Sequence, residues 1–429
     1  MNSKHKNIIY IISLQIFFFL YFLLSACSKD LPIEDLTFIE FDYINGDTCY
    51  MNFSINNHKG YNKDNIDIRY YTSSALIPLT QSLRVQNEDT FIVSCYFKIL
   101  SGGGNTPITV KLFNNEEFIG EDTKYVFIDR PGWYSGDTHT HSIYSDGNNT
   151  INKNMDISQK KGLSFIFATD HNTINHYQEC ARLSSNTFLV LPGIEVTTSY
   201  GHILALFSEE NINFSTVSSL NSAQNIINDI NKNNGLSFIA HPFLNTMEWR
   251  WKDTENMNGI EVWNLYPAST SKETAESMKW WDEKLCEGKI YYASTGSDTH
   301  ETSTIAASFI GIYLEKLSKG NIYKSIKNGM FYCSNGPEIY IEAEGKKMGE
   351  ICNVGKGRNI NLDIKGAYSL PMKKIRIIKN GKEFLEYNIN DNLKTITIED
   401  FARHGDYYRA EVTTENNGFA FTNPIFIRE

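Results

Sequence analysis

Cysteine is scarce and scattered: the seven cysteines in 429 residues include no Cys-x-x-Cys pair, which argues against a zinc ribbon or a thioredoxin-like redox site. There is no Gly-x-Ser-x-Gly elbow, and its lack lowers serine-hydrolase chemistry. No basic run is long enough to track a phosphate backbone and the net charge is −10, so nucleic acid is not expected as a standing partner. A small anionic substrate stays open, because local cations override net charge. Signs of disorder are missing too. Aromatic residues make up 13% of the chain, enough apolar surface at this length for two or three globular domains.

One long apolar run is present, at residues 8–24 behind Lys4 and Lys6, and it reads as a targeting segment. Its ending, Leu24-Ser25-Ala26-Cys27, resembles the bacterial lipobox. That resemblance implies a signal peptide over residues 1–26, a lipid on Cys27, a tether over 27–35, and an envelope lipoprotein that is periplasmic or exposed at the outer-membrane surface. The alternative is a transmembrane anchor, since the run could nearly span a bilayer. Ser28-Lys29-Asp30 resembles the short acidic export tag of some surface lipoproteins of Bacteroidetes. An envelope location permits disulfides. Cys49 and Cys95 fall on expected strands of one region, and the sequence leaves open whether they pair or stay as two buried thiols.

Residues 36–130 alternate in short runs such as Phe38-Ile39-Glu40-Phe41-Asp42-Tyr43 and Phe91-Ile92-Val93-Ser94-Cys95-Tyr96-Phe97, separated by Asn/Gly/Asp turns. This predicts a small β-sandwich. After Arg130-Pro131-Gly132 the texture changes, and over 132–337 strands alternate with helical patterns. Ala223, Ile226, Ile227 and Ile230 form one helix face, Asn234-Gly235 stops it, and Leu236-Ser237-Phe238-Ile239-Ala240 follows as a strand. The same grammar places helices at 151–161, before Gly162, and at 272–287, before Gly288. Repeated βα units imply a mostly parallel sheet or a barrel. Residues 338–429 return to strands, with Asn380-Gly381 as a hairpin turn, and make a second β-domain.

Polar residues cluster where these strands end. His139 and His141 follow Trp133-Tyr134-Ser135, Asp170 and His171 follow Ala168, and Glu195 follows the run 188–191. His202 opens the next run, His241 ends another, and Asp298 and His300 follow Ala293-Ser294-Thr295. At the C-terminal edge of a parallel sheet, residues distant in sequence meet. Imidazole and carboxylate are the ligand set of Zn, Mn or Fe, and a His-x-His pair on extended backbone points both rings to one side. Six histidines and three carboxylates exceed what one ion accepts, so two or more ions are implied. His176, five residues past His171, reads as a rim residue.

His139-Thr140-His141 with Ser145-Asp146-Gly147, Thr169-Asp170-His171-Asn172, Gly193-Ile194-Glu195, Ala240-His241-Pro242 and Gly296-Ser297-Asp298-Thr299-His300 together resemble the ordered motifs of PHP (polymerase and histidinol phosphatase) domains. Glu195-Val196-Thr197-Thr198 leading to Gly201-His202, and Thr422-Asn423-Pro424-Ile425, resemble the CehA/McbA-type members over nearly the whole mature length. The resemblance implies a multidomain α/β plus all-β chain, with a distorted (β/α)7 PHP barrel between two β-sandwich-like domains and two or three divalent ions. Its ligands would be His139, His141, Asp146, His171, Glu195, His202, His241, Asp298 and His300. Glu195 would bridge two ions, and Glu195, His202 and Asp298 would be the catalytic members. Asp146 departs from members with histidine there. Asp170 is expected to orient His171 or shape its loop.

The expected activity is metal-dependent hydrolysis by a hydroxide bridging two ions, first of a phosphoester. Arg250 and Lys252, in Trp249-Arg250-Trp251-Lys252, are candidate phosphate binders. A carboxylic ester, carbamate or amide is the alternative substrate, needing an apolar pocket that Trp249, Trp251, Trp263 and Tyr266 would supply. A third reading is a non-enzymatic, lipid-anchored binding module.

Overall fold

The computed structural model describes residues 36–45, 48–56, 60–72, 76–87, 89–99, 103–209, 212, 217, 219–265 and 271–429. Cys27, with the whole expected signal and tether, and Tyr266 lie outside the described residues.

The chain divides into two compact units. The first takes residues up to Tyr71, Pro78–Phe97 and Thr109–Lys124. The strands up to Ile128 are β1 (Leu36–Asn45), β2 (Thr48–Asn56), β3 (Ile66–Thr72), β4 (Leu76–Asn87), β5 (Thr90–Ile99), β6 (Gly104–Asn114) and β7 (Glu117–Ile128), with one end of each of β3 to β7 counted in the second unit. They form a four-stranded sheet, β1-β2-β5-β4, and a three-stranded one, β3-β6-β7. Strict alternation along β2 and β5 buries Cys49, Met51, Phe53, Val93, Cys95 and Phe97, as period-two patterning requires. Cys49 and Cys95 are both buried free thiols, and the Cys95 Sγ hydrogen-bonds the Tyr70 hydroxyl at 2.8 Å.

The second unit takes Thr72–Ile77, Lys98–Ile108 and Tyr125–Glu429. Its strands run β8 (Gly132–Thr140), β9 (Phe165–Ala168), β10 (Leu189–Thr198), β11 (Gly201–Leu206), β12 (Leu236–Ala240), β13 (Gly259–Asn264), β14 (Tyr292–Gly296) and β15 (Phe309–Leu314). Helices α1 (Ile151–Lys160), α2 (Tyr177–Leu183), α3 (Leu220–Lys232), α4 (Ser271–Cys286) and α5 (Lys319–Lys327) are interspersed. β8, β9 and β10 pair in parallel, as do β12, β13 and β14. β11 joins the two sets antiparallel to both neighbours, and the strand network closes on itself.

A regular ring of seven βα units is not what is built. Between β10 and β11 a tight hairpin replaces a crossover helix, because antiparallel partners need none, and β12 reaches β13 through an irregular loop. Elsewhere the periodicity holds. α3 buries Ala223, Ile226, Ile227 and Ile230, its N-terminus capped by Ser219, whose side chain accepts from the Ser222 N–H. Gly162 and Gly288 end α1 and α4 at φ +89° and +83°, conformations that favour glycine.

The remaining strands are β16 (Phe331–Ser334), β17 (Glu338–Ala343), β18 (Lys346–Lys347), β19 (Ile351–Asn353), β20 (Arg358–Lys379), β21 (Lys382–Ala402), β22 (Tyr407–Thr414), β23 (Phe419–Thr422) and β24 (Ile425–Arg428). The β20–β21 hairpin turns at Asn380-Gly381, both at positive φ, the geometry of a type I′ turn. β15 pairs with β16 and β16 with β23, so the C-terminal strands share a compact unit with the βα part.

Candidate metal centre

Glu195 is the hub. It lies within β10, not past its end as expected, because pairing with β11 carries that strand through to Thr198. The hairpin register sets Thr197 opposite His202 and returns the His202 ring to Glu195. The Glu195 carboxylate, 1% exposed, faces imidazoles with both oxygens. Oε1 lies 2.7 Å from His202 Nδ1 and 2.9 Å from His241 Nε2. Oε2 lies 3.3 Å from His139 Nε2, 3.1 Å from His141 Nε2 and 3.1 Å from His171 Nδ1.

Asp298 closes the group from the other side, its Oδ1 3.1 Å from His141 Nε2 and 3.4 Å from His139 Nε2. His300 and Asp146 complete an outer cluster, with Asp146 Oδ2 at 3.3 Å from His300 Nε2 and 3.6 Å from His171 Nε2. All nine residues expected from the sequence therefore converge. Three overlapping sets of donor atoms stand close enough to share an ion: His139, His141, Glu195 and Asp298; His141, Asp146, His171 and His300; and His171, Glu195 and His202. His241 reaches the group through Glu195.

The donor set fits divalent cations on two counts. His139 and His141 bring Nε2 atoms to 3.1 Å of each other, with two carboxylate oxygens at similar range, so more lone pairs meet there than protons can separate. Ligands about 2.1 Å from one ion stand about 3.0–3.4 Å apart in octahedral or tetrahedral array, the range of these spacings. The charges say the same. Burial works against ionising Glu195 and Asp298, yet the surrounding imidazoles, His202 and His139 foremost for Glu195, hold both carboxyls well below their usual range. Burial likewise opposes charge on His139 and His141, but the carboxylates outweigh it and hold His139 well above its ordinary value and His141 at about 9. A buried, doubly anionic cluster thus draws positive charge. His202 Nε2, His241 Nδ1 and Asp298 Oδ1 have no hydrogen-bond partner among the described residues.

A supporting layer was not expected from the sequence. Glu261, fully buried in β13, stands 3.0 Å from His139 Nδ1 by one oxygen, and with the other it accepts the His241 N–H at 3.1 Å and the Asn264 amide at 2.9 Å. The same amide nitrogen also donates to Asp298 Oδ2 at 3.1 Å. Asp137 accepts the N–H groups of His139 and Ser297, and desolvation pushes its carboxyl up to about 6 despite these bonds. His241 and Asp298 adopt positive φ, +26° and +49°, conformations that non-glycine residues keep only where the surroundings impose them.

Other expected residues lie elsewhere. Asp170 shapes its loop, accepting from Ser142 N and from the Ser142 and Ser145 hydroxyls at 2.8 Å each, while the His171 ring nitrogens meet Thr197, Glu195 and Asp146. His176 is not at the rim: it is buried, and its Nε2 lies 3.1 Å from the Ala168 and Gly193 carbonyls, tying β9 to β10. The Arg250 guanidinium stacks 4.0 Å over Tyr200. Lys252 donates to the Pro242 carbonyl at 2.9 Å and lies over Phe243; burial pulls its ammonium down to about 8 against the opposing pull of Glu248. Trp249 and Trp263 belong to the hydrophobic core, and Trp251 packs partly buried against it.

No family model matches the chain. It is 30% identical over 116 residues to the uncharacterized protein MJ1587 of Methanocaldococcus jannaschii, a match over 26% of this chain and 64% of that relative. Among solved structures, a two-domain protein of Bacteroides vulgatus containing a predicted PHP-like metal-dependent phosphoesterase aligns at 17% identity and TM-score 0.39, over 69% of this chain and 97% of its own. An amidohydrolase from Chromobacterium violaceum aligns at 19% identity and TM-score 0.31, over 40% and 89%. At these levels of likeness, fold and chemistry rest on the residues themselves.

Proposed function

We propose that this chain is a PHP-type metal-dependent hydrolase of the CehA/McbA kind that cleaves a small phosphoester with two or three divalent ions, of Zn, Mn or Fe. One observation carries the reading: the two oxygens of buried Glu195 face different sets of imidazoles, the arrangement a carboxylate shared between two ions requires. His139, His141 and Asp298 would hold one ion with Glu195; His202 and His241 would serve the other oxygen's side; Asp146 and His300 would hold a third with His171 and His141. Ions held there acidify water and polarise the oxygen under attack. The chain's own part is orientation. Glu261 accepts a hydrogen bond from His139 Nδ1–H and so turns the Nε2 lone pair inward, and the Thr197 hydroxyl fixes His171 from the side. Several ions suit a phosphoryl group, which presents two or three charged oxygens at once. Arg250, exposed on its tyrosine, is the remaining candidate for steering that charge. The lipid on Cys27 would place this activity at the cell envelope.

The decisive experiment couples metal analysis of the purified chain with a panel of phosphomonoesters, phosphodiesters and aryl esters. Two or more equivalents of metal and chelator-sensitive phosphoester cleavage are expected, with Glu195→Gln losing both metal and turnover. Full activity in rigorously metal-free protein would sink the mechanism, and cleavage confined to aryl esters would replace the substrate class.

A further inference from the structure

Strand β8 carries the metal-site residue His139 at its C-terminal end, with His141 just past it, and Trp133 at its start, about 20 Å from His139 at roughly 3.3 Å per residue. At that far end lies a separate cavity of about 390 Å³, within the size range of small-molecule sites and sharing no lining residue with the metal centre. One wall is aromatic. Trp133 lies against Tyr340 at 4.4 Å between ring centroids and against Tyr332 at 5.5 Å, and the two tyrosines meet edge to face at 5.5 Å. Phe309 adds a further ring.

The cavity is also lined by an exposed lysine that nothing in the proposed chemistry uses. Lys161 Nζ donates to the Ile305 carbonyl at 2.5 Å, and among the described residues it forms no ion pair. An ammonium has three N–H donors, so two remain for water or for a ligand in the cavity it lines. Partial desolvation draws its pKa below that of an ordinary lysine, with Asp137 opposing. The other charged group of the lining, Glu338, accepts the Tyr340 hydroxyl. A carboxylate there disfavours a second acid beside it and favours hydroxyl donors.

We propose that this cavity is a second binding site, for a small carboxylic acid built on a hydroxylated six-membered ring. Its carboxylate pairs with Lys161, its ring lies against the Trp133–Tyr332–Tyr340 wall, and its hydroxyls face Glu338. An aromatic acid and a sugar acid share this chemistry, and the site is independent of what the metal centre does.

Calorimetric titration of the full metal-loaded chain separates the cases, using 4-hydroxybenzoate and glucuronate as probes and 4-hydroxybenzamide and glucose as their neutral counterparts. At least one acid should bind ten-fold or more tighter than its neutral counterpart, and which acid does so identifies the ring. Lys161→Met or Lys161→Gln should abolish that preference while leaving metal content and hydrolase turnover unchanged. The inference is overturned if neither acid outbinds its neutral counterpart in the wild-type chain, or if a folded Lys161 variant binds the acid as well as wild type does. The first comparison needs no variant, and it stands whether or not the chain hydrolyses phosphoesters.

Discussion

Glu261→Gln gives the sharpest test of how the centre is organised, because the substitution keeps shape and removes only charge and acceptor capacity. Three groups point at the Glu261 carboxylate: the His139 ring nitrogen Nδ1, the His241 backbone N–H and the Asn264 amide. The last two are donors, and beside a carboxylate that only accepts, Nδ1 must be one as well. A glutamine has one oxygen, so its amino group must face at least one of them. If it faces His241 N and Asn264, a buried backbone donor loses its acceptor, at about 1–3 kcal/mol of stability. If it faces His139, the ring has to accept there, its proton moves to Nε2, and the lone pair directed at Glu195 and Asp298 is lost. Removing such an outer partner typically costs 10- to 100-fold in metal affinity, about 1.4–2.7 kcal/mol. Competition against a chelating dye reads the second outcome and calorimetric unfolding of the metal-free protein reads the first. Both quantities at wild-type values would refute the assignment of Glu261 as the residue that orients His139.

Three further substitutions probe other links between fold and site. Gly201 has φ +103° and a Cβ there would sit 2.6 Å from Trp249 Cα, so Gly201→Ala should cost at least about 1–3 kcal/mol in backbone strain and, by disturbing the hairpin that returns His202 to Glu195, lower metal content; unchanged stoichiometry and stability would contradict this. Arg409, 3% exposed, pairs with Asp282 of α4 at 2.8 Å and with Glu411, so Arg409→Met should destabilise the second unit by about 3–5 kcal/mol, measured by denaturant unfolding, and a loss below 1 kcal/mol would show the pair to be idle. Lys252 holds its proton to 10.5 when unfolded and only to about 8 when folded, so between those values the unfolded chain binds more protons. Stability from this group is therefore full above 10.5 and lost as pH falls through about 8, by at most about 3 kcal/mol. The wild type's unfolding free energy relative to Lys252→Met should rise from pH 8 to 10.5, and a flat difference would count against the burial of its charge.

What could be read from the sequence and what could not divide along a physical line. Most of the metal-site residues were legible because His and carboxylate recur near strand ends, Asp146 came only with the motif order that resembles PHP domains, and α3 was legible because Ala223, Ile226, Ile227 and Ile230 mark one helical face. The crossover count was not: whether Glu195 ends a strand or sits inside one depends on pairing with β11, a tertiary fact that local periodicity does not encode. Arg250 and Lys252 looked like anion binders because a cation beside aromatics has the same sequence signature whether it reaches into a pocket or, like Lys252, folds back over Phe243 onto a carbonyl. Glu261 did leave a signal that went unused. Gly259-Ile260-Glu261-Val262-Trp263 is an apolar strand with one charge at its centre, buried throughout. A carboxylate in such a strand survives only if donors converge on it, so it should be sought as the partner of some other buried polar group. Here those donors are the His139 ring and the His241 backbone, which means that the strand whose sequence carries no ligand is the one that orients two of them.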